Sequence, residues 1–444
     1  MLVRLSILTL FACAASPSVA VSAPSSRDLD ITFDVEVGEP LMMAGKEQTA
    51  YIKITLGGFA LPAASRTPVN LAIVLDRSGS MSGDKIEKAK AAAMMVVDRM
   101  QPDDILSVIA FDDRVNVLQP AERVSSRDAI RERISALQPG GSTALFAGLT
   151  FGLEEIGKNR DPKRVNRIIL LSDGQANVGP SSPNELGQLG EVAGRQGIAI
   201  TTVGLGLGYN EDLMTQIAMR SDGNHSFAET GNDLARIFNG ELGDVLSVVA
   251  QDVEVEIEFD TGIVPVRALG REATINGRKA TLSLSQLYAK QQKYVLFEVK
   301  VPPGNAGKKR ALADVAVNYS DLINKSKGSK KSSIGVEFAS AKLAVAKKQN
   351  KQVLEAAVEA IAADQSRQAV SLRDQGKVKE AKEVLVDNAR YLQENAARLK
   401  SQRLQGYSKQ NEVDATNLDD TRWNQTRKGM KAMDHQITNQ QSYR

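Results

Sequence analysis

Residues 69–80 have the sequence VNLAIVLDRSGS, in which a run of mostly apolar residues leads into Asp76, Ser78 and Ser80. A run with this many apolar residues predicts a strand that is buried on both faces of a sheet. In the extended segment that follows, alternate side chains point the same way, so one carboxylate and two hydroxyls can converge on one point. Oxygen-only ligation of this kind selects hard cations such as Mg²⁺, Mn²⁺ or Ca²⁺.

Two further segments carry matching oxygen ligands. Residues 140–145, GGSTAL, form a flexible turn before a predicted helix and contain Thr143. Residues 170–174, LLSDG, end a predicted strand on Asp173. In parallel sheets ligands bind beyond the carboxyl ends of the strands, so we expect the three loops to meet at one edge. The predicted metal ligands are Asp76, Ser78, Ser80, Thr143 and Asp173.

The region around these segments, residues 67–250, alternates fully apolar strands with amphipathic helices. This alternation predicts an α/β domain with a mainly parallel sheet that helices cover on both faces. Strands are predicted at 71–75, 105–111, 167–171 and 198–204, and helices at 85–100, 126–137, 145–156, 183–195, 211–219 and 231–249.

The segments on either side have a different pattern. Residues 24–66 and 251–340 contain short strands, several with period-two alternation and with Gly and Pro between them. We interpret them as one antiparallel β-sandwich into which the α/β domain is inserted. Residues 341–404 are rich in Ala, Lys, Glu, Gln and Leu and predict a helical hairpin broken near Gly376. Residues 405–444 are rich in Asn, Gln and Ser, which predicts a flexible tail.

The predicted ligands follow the order Asp-x-Ser-x-Ser, then a Thr in a glycine-rich loop, then an Asp before Gly at the end of a strand. In this order and spacing, residues 68–249 resemble the von Willebrand factor type A domain with its metal-ion-dependent adhesion site. The resemblance implies a Rossmann-like sheet, a bound divalent cation that is usually Mg²⁺, and a role in adhesion or assembly rather than catalysis. The overall plan is similar to bacterial exported proteins described as calcium-activated chloride channel homologues or inter-alpha-trypsin-inhibitor-like proteins.

The chemistry of the predicted site indicates how it binds a partner. Hydroxyl ligands are neutral, so Asp76 and Asp173 supply at most two formal negative charges. Mg²⁺ takes six oxygen ligands in an octahedron and retains water readily. The ion therefore keeps positive charge and an exchangeable water, which an Asp or Glu of another protein can displace. We expect a protein-binding function without enzymatic activity, with Ca²⁺ or Mn²⁺ as alternative ions.

Three other interpretations stay open. The hydroxyl side chains can cap the helix that follows them without binding metal. The site can belong to a Mg²⁺-dependent hydrolase, although the sequence shows no evident base. The paired acids Asp103-Asp104 and Asp112-Asp113 fit solvated strand ends, and the two histidines, His225 and His435, fit surface positions. The protein can also be a structural subunit of a cell-envelope complex, held by the helical hairpin and only stabilised by metal.

Composition limits the remaining partner classes. The formal net charge of +3 is too small to indicate a nucleic-acid partner. The basic run at residues 325–331 has no interleaved aromatic residues, and we interpret it as a solvated hairpin tip, with an anionic surface as its alternative partner. Residues 204–208, GLGLG, lack both the final glycine of a dinucleotide fingerprint and the Gly-Lys-Ser/Thr of a P-loop. We therefore expect neither nucleic acid nor nucleotide as a ligand.

Residues 1–23 have the pattern of an export signal, with Arg4 before a short apolar stretch at 5–15 and small residues after it. The only cysteine, Cys13, allows neither a disulfide nor a thiolate zinc site. Bulky Phe11 argues against a lipid anchor at Cys13. No later segment is apolar for long enough to predict a transmembrane helix. We expect an exported protein that is periplasmic, secreted or on the cell surface.

Overall fold

The computed structural model describes residues 30–61, 66–419 and 421–443. The predicted export signal and Cys13 lie outside these ranges. Within them, no helix combines the length and the apolar character needed to cross a membrane. The described chain opens with the strands β1 (Thr32–Val37), β2 (Leu41–Met43) and β3 (Gln48–Gly57).

The central domain follows with a six-stranded sheet and helices on both of its faces. Its strands are β4 (Val69–Asp76), β5 (Ile105–Phe111), β6 (Val115–Arg123), β7 (Val165–Ser172), β8 (Ile198–Leu205) and β9 (His225–Ala228). Its helices are α1 (Asp84–Arg99), α2 (Arg127–Ser135), α3 (Leu145–Lys158), α4 (Pro183–Arg195), α5 (Glu211–Arg220) and α6 (Gly231–Val245).

The order of strands in this sheet is β6-β5-β4-β7-β8-β9, and every neighbouring pair is parallel except the antiparallel β5 and β6. Every residue of β4, β5, β7 and β8 is buried. The cause is that α1, α2 and α6 cover one face of the sheet while α3, α4 and α5 cover the other. The predicted α/β fold is confirmed.

Two strands at the edges of the sheet, β6 and β9, were not among the predicted strands. Several side chains of β6 face solvent, and β9 has only four residues. Edge strands pack against the rest of the protein on fewer sides, so they lack the continuous apolar run that marks a central strand.

The strands after the central domain are β10 (Val248–Phe259), β11 (Val264–Leu269), β12 (Thr274–Asn276), β13 (Lys279–Tyr288), β14 (Gln291–Val301), β15 (Lys309–Asp321) and β16 (Ser326–Ala339). One sheet has the order β1-β3-β14-β11, and a second has the order β12-β13-β10-β15-β16-β2. Apolar side chains of both sheets share one buried core, for example Ile54 of β3, Val255 of β10 and Phe297 of β14. The central domain therefore interrupts this two-sheet unit between β3 and β10.

Two local features of this unit differ from the predictions. Helix α6 ends at Val245 rather than at residue 249, because Val248 already pairs with Tyr288 across the first rung of β10 and β13. The basic run at 325–331 is not a hairpin tip, since Lys325 closes the turn (φ 52°) and the rest of the run belongs to β16, paired with β15. Exposed and half-buried positions alternate along this part of β16, which suits a strand with one solvated face.

A buried arginine joins the central domain to the sandwich. Arg167 of β7 is fully buried. Its guanidinium donates to Gln286 Oε1 (3.0 Å) and Tyr288 OH (2.5 Å) of β13, and to Glu241 Oε2 of α6 (3.2 Å). A buried charge is tolerated only where it is paired and hydrogen-bonded. These contacts therefore tie the last helix of the central domain to the sandwich.

The remaining chain is helical, with α7 (Lys342–Lys347), α8 (Lys351–Asp374), α9 (Val378–Leu399), α10 (Gln402–Thr416) and α11 (Trp423–Thr438), and then the short strand β17 (Gln441–Tyr443). Helices α8 and α9 pack side by side through a tight turn at Gly376, whose positive φ of 79° suits glycine. Asn388 of α9 donates to Ala362 O of α8 at 2.9 Å, which fits an antiparallel pair.

The composition of residues 405–444 predicts a flexible tail, but the structure has α10 and α11 there. Trp423 is 8% exposed and its Nε1 donates to Asp374 Oδ1 at 3.0 Å. Arg427 pairs with Asp374 (3.0 Å) and, across to the central domain, with Glu211 and Asp212 at the start of α5. A buried tryptophan and a basic side chain with three acidic partners thus hold this segment against the rest of the protein.

Candidate metal centre

The predicted ligands come from three loops at the carboxyl edge of the central sheet. Asp76 is the last residue of β4, Asp173 directly follows β7, and Thr143 lies in the loop before α3. Asp76, Ser78, Thr143 and Asp173 are buried, with no more than 3% of each exposed, whereas Ser80 is exposed. The cluster is therefore embedded in the domain but has one side open to solvent.

Hydrogen bonds link most of these side chains directly. Ser78 Oγ lies 3.1 Å from Ser80 Oγ, and Ser80 Oγ donates to Asp173 Oδ1 at 2.8 Å. Asp76 accepts from the Ser78 backbone N–H (2.8 Å) and from the hydroxyl of Ser172 (2.5 Å). Ser172 was not among the predicted site residues. Its position next to Asp173 at the end of a buried strand was the available signal.

Thr143 faces the same space as the serines. A Cβ added to Gly174 would lie 3.1 Å from Thr143 Oγ1 and 3.5 Å from Ser80 Oγ, so both oxygens border one small cradle that a side chain would fill. The Thr143 backbone N–H donates to Asn177 Oδ1 at 2.8 Å, which fixes the threonine in this orientation. The geometry brings all the predicted ligands together, and their neutral and anionic oxygens fit a hard cation.

Backbone hydrogen bonds hold the loops against one another. The Arg77 N–H donates to Phe111 O (2.8 Å), the Gly140 N–H donates to Arg77 O (2.8 Å), and the Gly79 N–H donates to Gly141 O (3.1 Å). These bonds join the Asp-x-Ser-x-Ser segment to the glycine-rich loop and to the end of β5. The loops are therefore preorganised, and little ordering remains to be done when an ion binds.

The paired acids on either side of β5 are only partly solvated, in contrast to the prediction. Asp112 is buried and its carboxylate pairs with Arg77 at 2.6 Å. Asp104 is 1% exposed and pairs with Arg66 at 2.5 Å. In each pair the inward-facing carboxylate holds a loop or a strand end in place. Neither pair offers two free carboxyl groups for acid–base catalysis.

The electrostatics of the cluster favour a bound cation. The pKa of Asp76 is raised to about 6, by burial first and also by the nearby charge of Asp173, while hydrogen bonds from Ser172 and Ser78 oppose the rise. The ammonium of Lys85, in the first turn of α1, pairs with Asp173 and lies 3.3 Å from Ser80 O. The two carboxylates thus already attract one positive charge, that of Lys85. A divalent ion would stabilise their charged form in the same way.

Clusters of histidine, cysteine and carboxylate side chains do not provide a second candidate metal site in the described ranges. Residues 30–61, 66–419 and 421–443 contain no group of three or more His, Cys, Asp or Glu arranged to hold a metal ion. His225 and His435, predicted at the surface, are instead half-buried and buried, respectively, and are in contact, with the backbone N–H of His225 donating to His435 Nε2 at 3.2 Å. They join β9 to α11, a long-range contact that the sequence pattern did not indicate.

The comparisons with known proteins concern the domain that carries this cluster. A family model for the von Willebrand factor type A domain matches residues 70–239. This part of the chain is a von Willebrand factor type A domain. The resemblance noted from the sequence is confirmed at the level of the domain.

Curated relatives match part of the chain. An uncharacterised protein of Synechocystis sp. is 37% identical over 173 residues, which cover 39% of this chain and 40% of that protein. Human inter-alpha-trypsin inhibitor heavy chain H3 is 28% identical over 244 residues, which cover 52% of this chain and 26% of that protein. The chain thus spans less than half the length of both curated relatives.

A solved structure shares most of the fold. The von Willebrand factor type A protein from Catenulispora acidiphila has a TM-score of 0.69 and 17% identity, and the match covers 89% of this chain and 90% of that chain. The likeness therefore includes the segments before and after the von Willebrand A domain. At this level of identity it shows the fold alone.

Proposed function

We propose that the protein is an exported, metal-dependent binding protein whose von Willebrand A domain attaches to an acidic residue of another protein. Asp76, Ser78, Ser80, Thr143 and Asp173 hold a divalent cation, Mg²⁺ by preference and Ca²⁺ or Mn²⁺ as alternatives. The single observation that carries the proposal is the cluster of hydroxyl and carboxylate oxygens, which three loops bring together around a cradle bordered by Gly174.

Charge decides what the site attracts. Asp76 and Asp173 carry two formal negative charges, which equal the charge of a divalent ion. Both carboxylates also accept hydrogen bonds or ion pairs from Ser172, Ser78 and Lys85, so less of their charge is available to the ion. When bound, the cation supplies an electrophilic position for an incoming oxygen anion. Lys85 adds a further positive charge at the open side. An Asp or Glu of a protein partner is the ligand that this combination fits.

Support for a binding role comes from the relatives and from the chemistry of the site. Relatives that carry this domain include inter-alpha-trypsin inhibitor heavy chains, and von Willebrand A domains commonly mediate contacts between proteins. The proposed ligands are mostly hydroxyls, which are neutral and suit attachment better than activation of a water. The pattern of residues 1–23 supports export to the periplasm, the cell surface or the medium.

Calorimetric titration with MgCl₂ tests the site itself. Asp76→Ala should weaken Mg²⁺ binding at least about tenfold, the size expected when one charged ligand is removed. Asp113→Ala is the matched control, because Asp113 is an exposed carboxylate one loop away whose pair with Arg114 is long at 3.9 Å. Circular dichroism should show that both variants keep the fold. Equal Mg²⁺ affinity of Asp76→Ala and the unmodified protein would refute the proposal.

Partner binding is tested by pull-down from envelope extracts with MgCl₂ or with EDTA. A partner that binds the unmodified protein in Mg²⁺, but neither Asp76→Ala nor the EDTA-treated protein, fits the proposal. A screen for phosphatase and protease activity with and without Mg²⁺ separates the binding role from a hydrolase. Metal-dependent turnover that Asp76→Ala abolishes would favour the enzyme.

A structural role in an envelope complex is the second candidate, and exposed apolar residues on the helical segment favour it. Val386 of α9 and Val413 of α10 are 42% and 50% exposed. A docking role for these helices predicts that Val386→Glu with Val413→Glu dissolves a complex that survives Asp76→Ala. The opposite result, with a complex sensitive only to Asp76→Ala, assigns the contact to the metal site.

A further inference from the structure

A cleft of about 770 Å³ opens beside the metal edge. One wall is the loop between β8 and α5, together with Gln175, which lies two residues beyond Asp173. The opposite wall is the start of α11, including Trp423 and Arg427. A volume in this range accommodates a ligand of several residues. The cleft therefore continues the open side of the metal site toward the C-terminal helices.

The loop on the first wall touches the metal site on both sides of one exposed leucine. A Cβ on Gly206 would lie 3.8 Å from Lys85 Nζ, and a Cβ on Gly208 would lie 3.9 Å from Asp173 O. Leu207, between these glycines, is 66% exposed and lines the cleft. An apolar side chain is therefore presented to solvent on the loop that borders the metal site. Covering it with an apolar group of a partner would be favourable.

The charges of the cleft determine which residues of the partner can stand next to the acidic residue that binds the metal. The lining residues include the acids Glu211, Asp212, Glu229 and Asp374 and the bases Arg427 and Lys428. Lys431, just behind the lining, pairs with Asp212 at 2.7 Å, so three bases stand against four acids and the net charge is −1. Within the described ranges Glu229 is exposed and makes no ion pair. A second carboxylate next to the first would be repelled here.

We propose that this cleft is the second half of the partner site, and that it binds an extended segment with one isolated Asp or Glu and a large apolar residue within two positions of it. The carboxylate goes to the metal and the apolar side chain packs on Leu207. An extended segment advances about 3.3 Å per residue, so one or two residues bridge from the cation to the loop. This inference rests on the proposed function, because it needs the metal site to anchor the segment.

A displayed library of random heptapeptides, panned in MgCl₂ and eluted with EDTA, tests the inference. The unmodified protein should enrich peptides with a single Asp or Glu and a Leu, Ile, Phe, Met or Trp within two positions. Leu207→Ser should lose the apolar preference but keep the acid and the elution by EDTA. Leu343→Ser is the matched control, because Leu343 is 69% exposed on α7 and does not line the cleft.

Fluorescence anisotropy with a synthetic enriched peptide gives the magnitude. Leu207→Ser should weaken its affinity at least about tenfold, as expected for an apolar contact of this size, and Leu343→Ser should leave it unchanged. Enriched acids without an apolar preference, or an apolar preference that survives Leu207→Ser, would overturn the inference and leave the proposed function standing. Peptides without an acid, or no elution by EDTA, would overturn both.

Discussion

Acidification should release helix α11 from the von Willebrand A domain, because the two histidines of the chain pack against each other at that contact. Their rings meet edge to face with centroids 5.7 Å apart. His225 is also within hydrogen-bond distance of Thr202 Oγ1 (2.9 Å) and Tyr209 OH (3.2 Å). His435 Nδ1 is buried without a hydrogen-bond partner among the described residues. Among the residues that the structure describes, no carboxylate is hydrogen-bonded to either ring to stabilise an imidazolium.

Burial holds both pKa values well below the ordinary value of 6.5. The pKa of His225 falls to about 3, through burial first and then through the charges of His435 and Lys428. The pKa of His435 falls to about 4, through burial and then Arg271. A base whose pKa is lowered in the docked state stabilises that state at pH values above its pKa in the released state. This stability is lost as the pH falls below 6.5 toward 4.

The expected loss follows from these values. The pKa of a released histidine, about 6.5, lies about 1.5 pH units above pH 5.0, and each unit favours the released, protonated state by about 1.36 kcal/mol. The docked state therefore loses about 2 kcal/mol for each histidine and about 4 kcal/mol for the pair. Asp434 acts in the opposite direction, because burial raises its pKa to about 6, so its carboxyl favours the docked state at low pH. The histidine contribution must therefore be measured as a difference between variants.

Trp423 makes this measurement direct, because it is the only tryptophan and the first residue of α11. Urea unfolding followed by its fluorescence at pH 7.5 and pH 5.0 should show a loss of stability in the unmodified protein. The loss should be smaller by about 4 kcal/mol in the double variant His225→Gln, His435→Gln, since glutamine does not titrate. The comparison uses only the change with pH, so a variant that is less stable at both pH values is still informative. An identical change with pH in the two proteins would refute the reasoning.

Three further predictions concern the metal site and the joint between domains. Gly174→Ala should lower Mg²⁺ affinity at least about tenfold in calorimetry, because the added Cβ fills the cradle. Gly243→Ala, in open space on α6, should instead raise the free energy of unfolding by about 0.5–1 kcal/mol. Lys85→Met should tighten Mg²⁺ binding about fivefold, because it removes a half-exposed positive charge worth about 1 kcal/mol in solvent. Arg167→Met should lower the free energy of unfolding in urea by about 3–5 kcal/mol, because Glu241 loses its buried partner, and a loss below 1 kcal/mol would contradict this.

The parts of the fold that could be predicted from sequence are those with a strong local signal. The strand at 69–76 and its loop combine a continuous apolar run with ligands at alternate positions, so both the α/β fold and the grouping of the candidate ligands follow from neighbouring residues. The burial of Ser172 and the pairing of Lys85 with Asp173 depend on how separate loops meet, and no local pattern carries that information.

The C-terminal region shows the same limit more strongly. Residues 405–444 have the composition of a solvated tail, yet Arg427 reaches three acids that are between 53 and 216 residues away in the chain. Likewise, His225 and His435 are 210 residues apart and have no local feature that indicates burial. Helices and side chains that are stabilised by such distant partners are not visible in amphipathic patterns or in composition.

The insertion of the von Willebrand A domain has a mechanical consequence. Both covalent connections to the sandwich leave from one edge of the central sheet, where Thr67 Oγ1 donates to Val248 O at 3.2 Å. The metal edge is at the far end of β4, whose eight residues span about 26 Å at about 3.3 Å per residue. Tension applied by an attached partner therefore runs lengthwise along parallel strands to two adjacent anchor points. Tension on Asp76 is carried by the backbone of β4 itself, and tension on Asp173 crosses from β7 to β4 through hydrogen bonds that are loaded together in shear instead of opening one after another, which is the arrangement that resists being pulled apart.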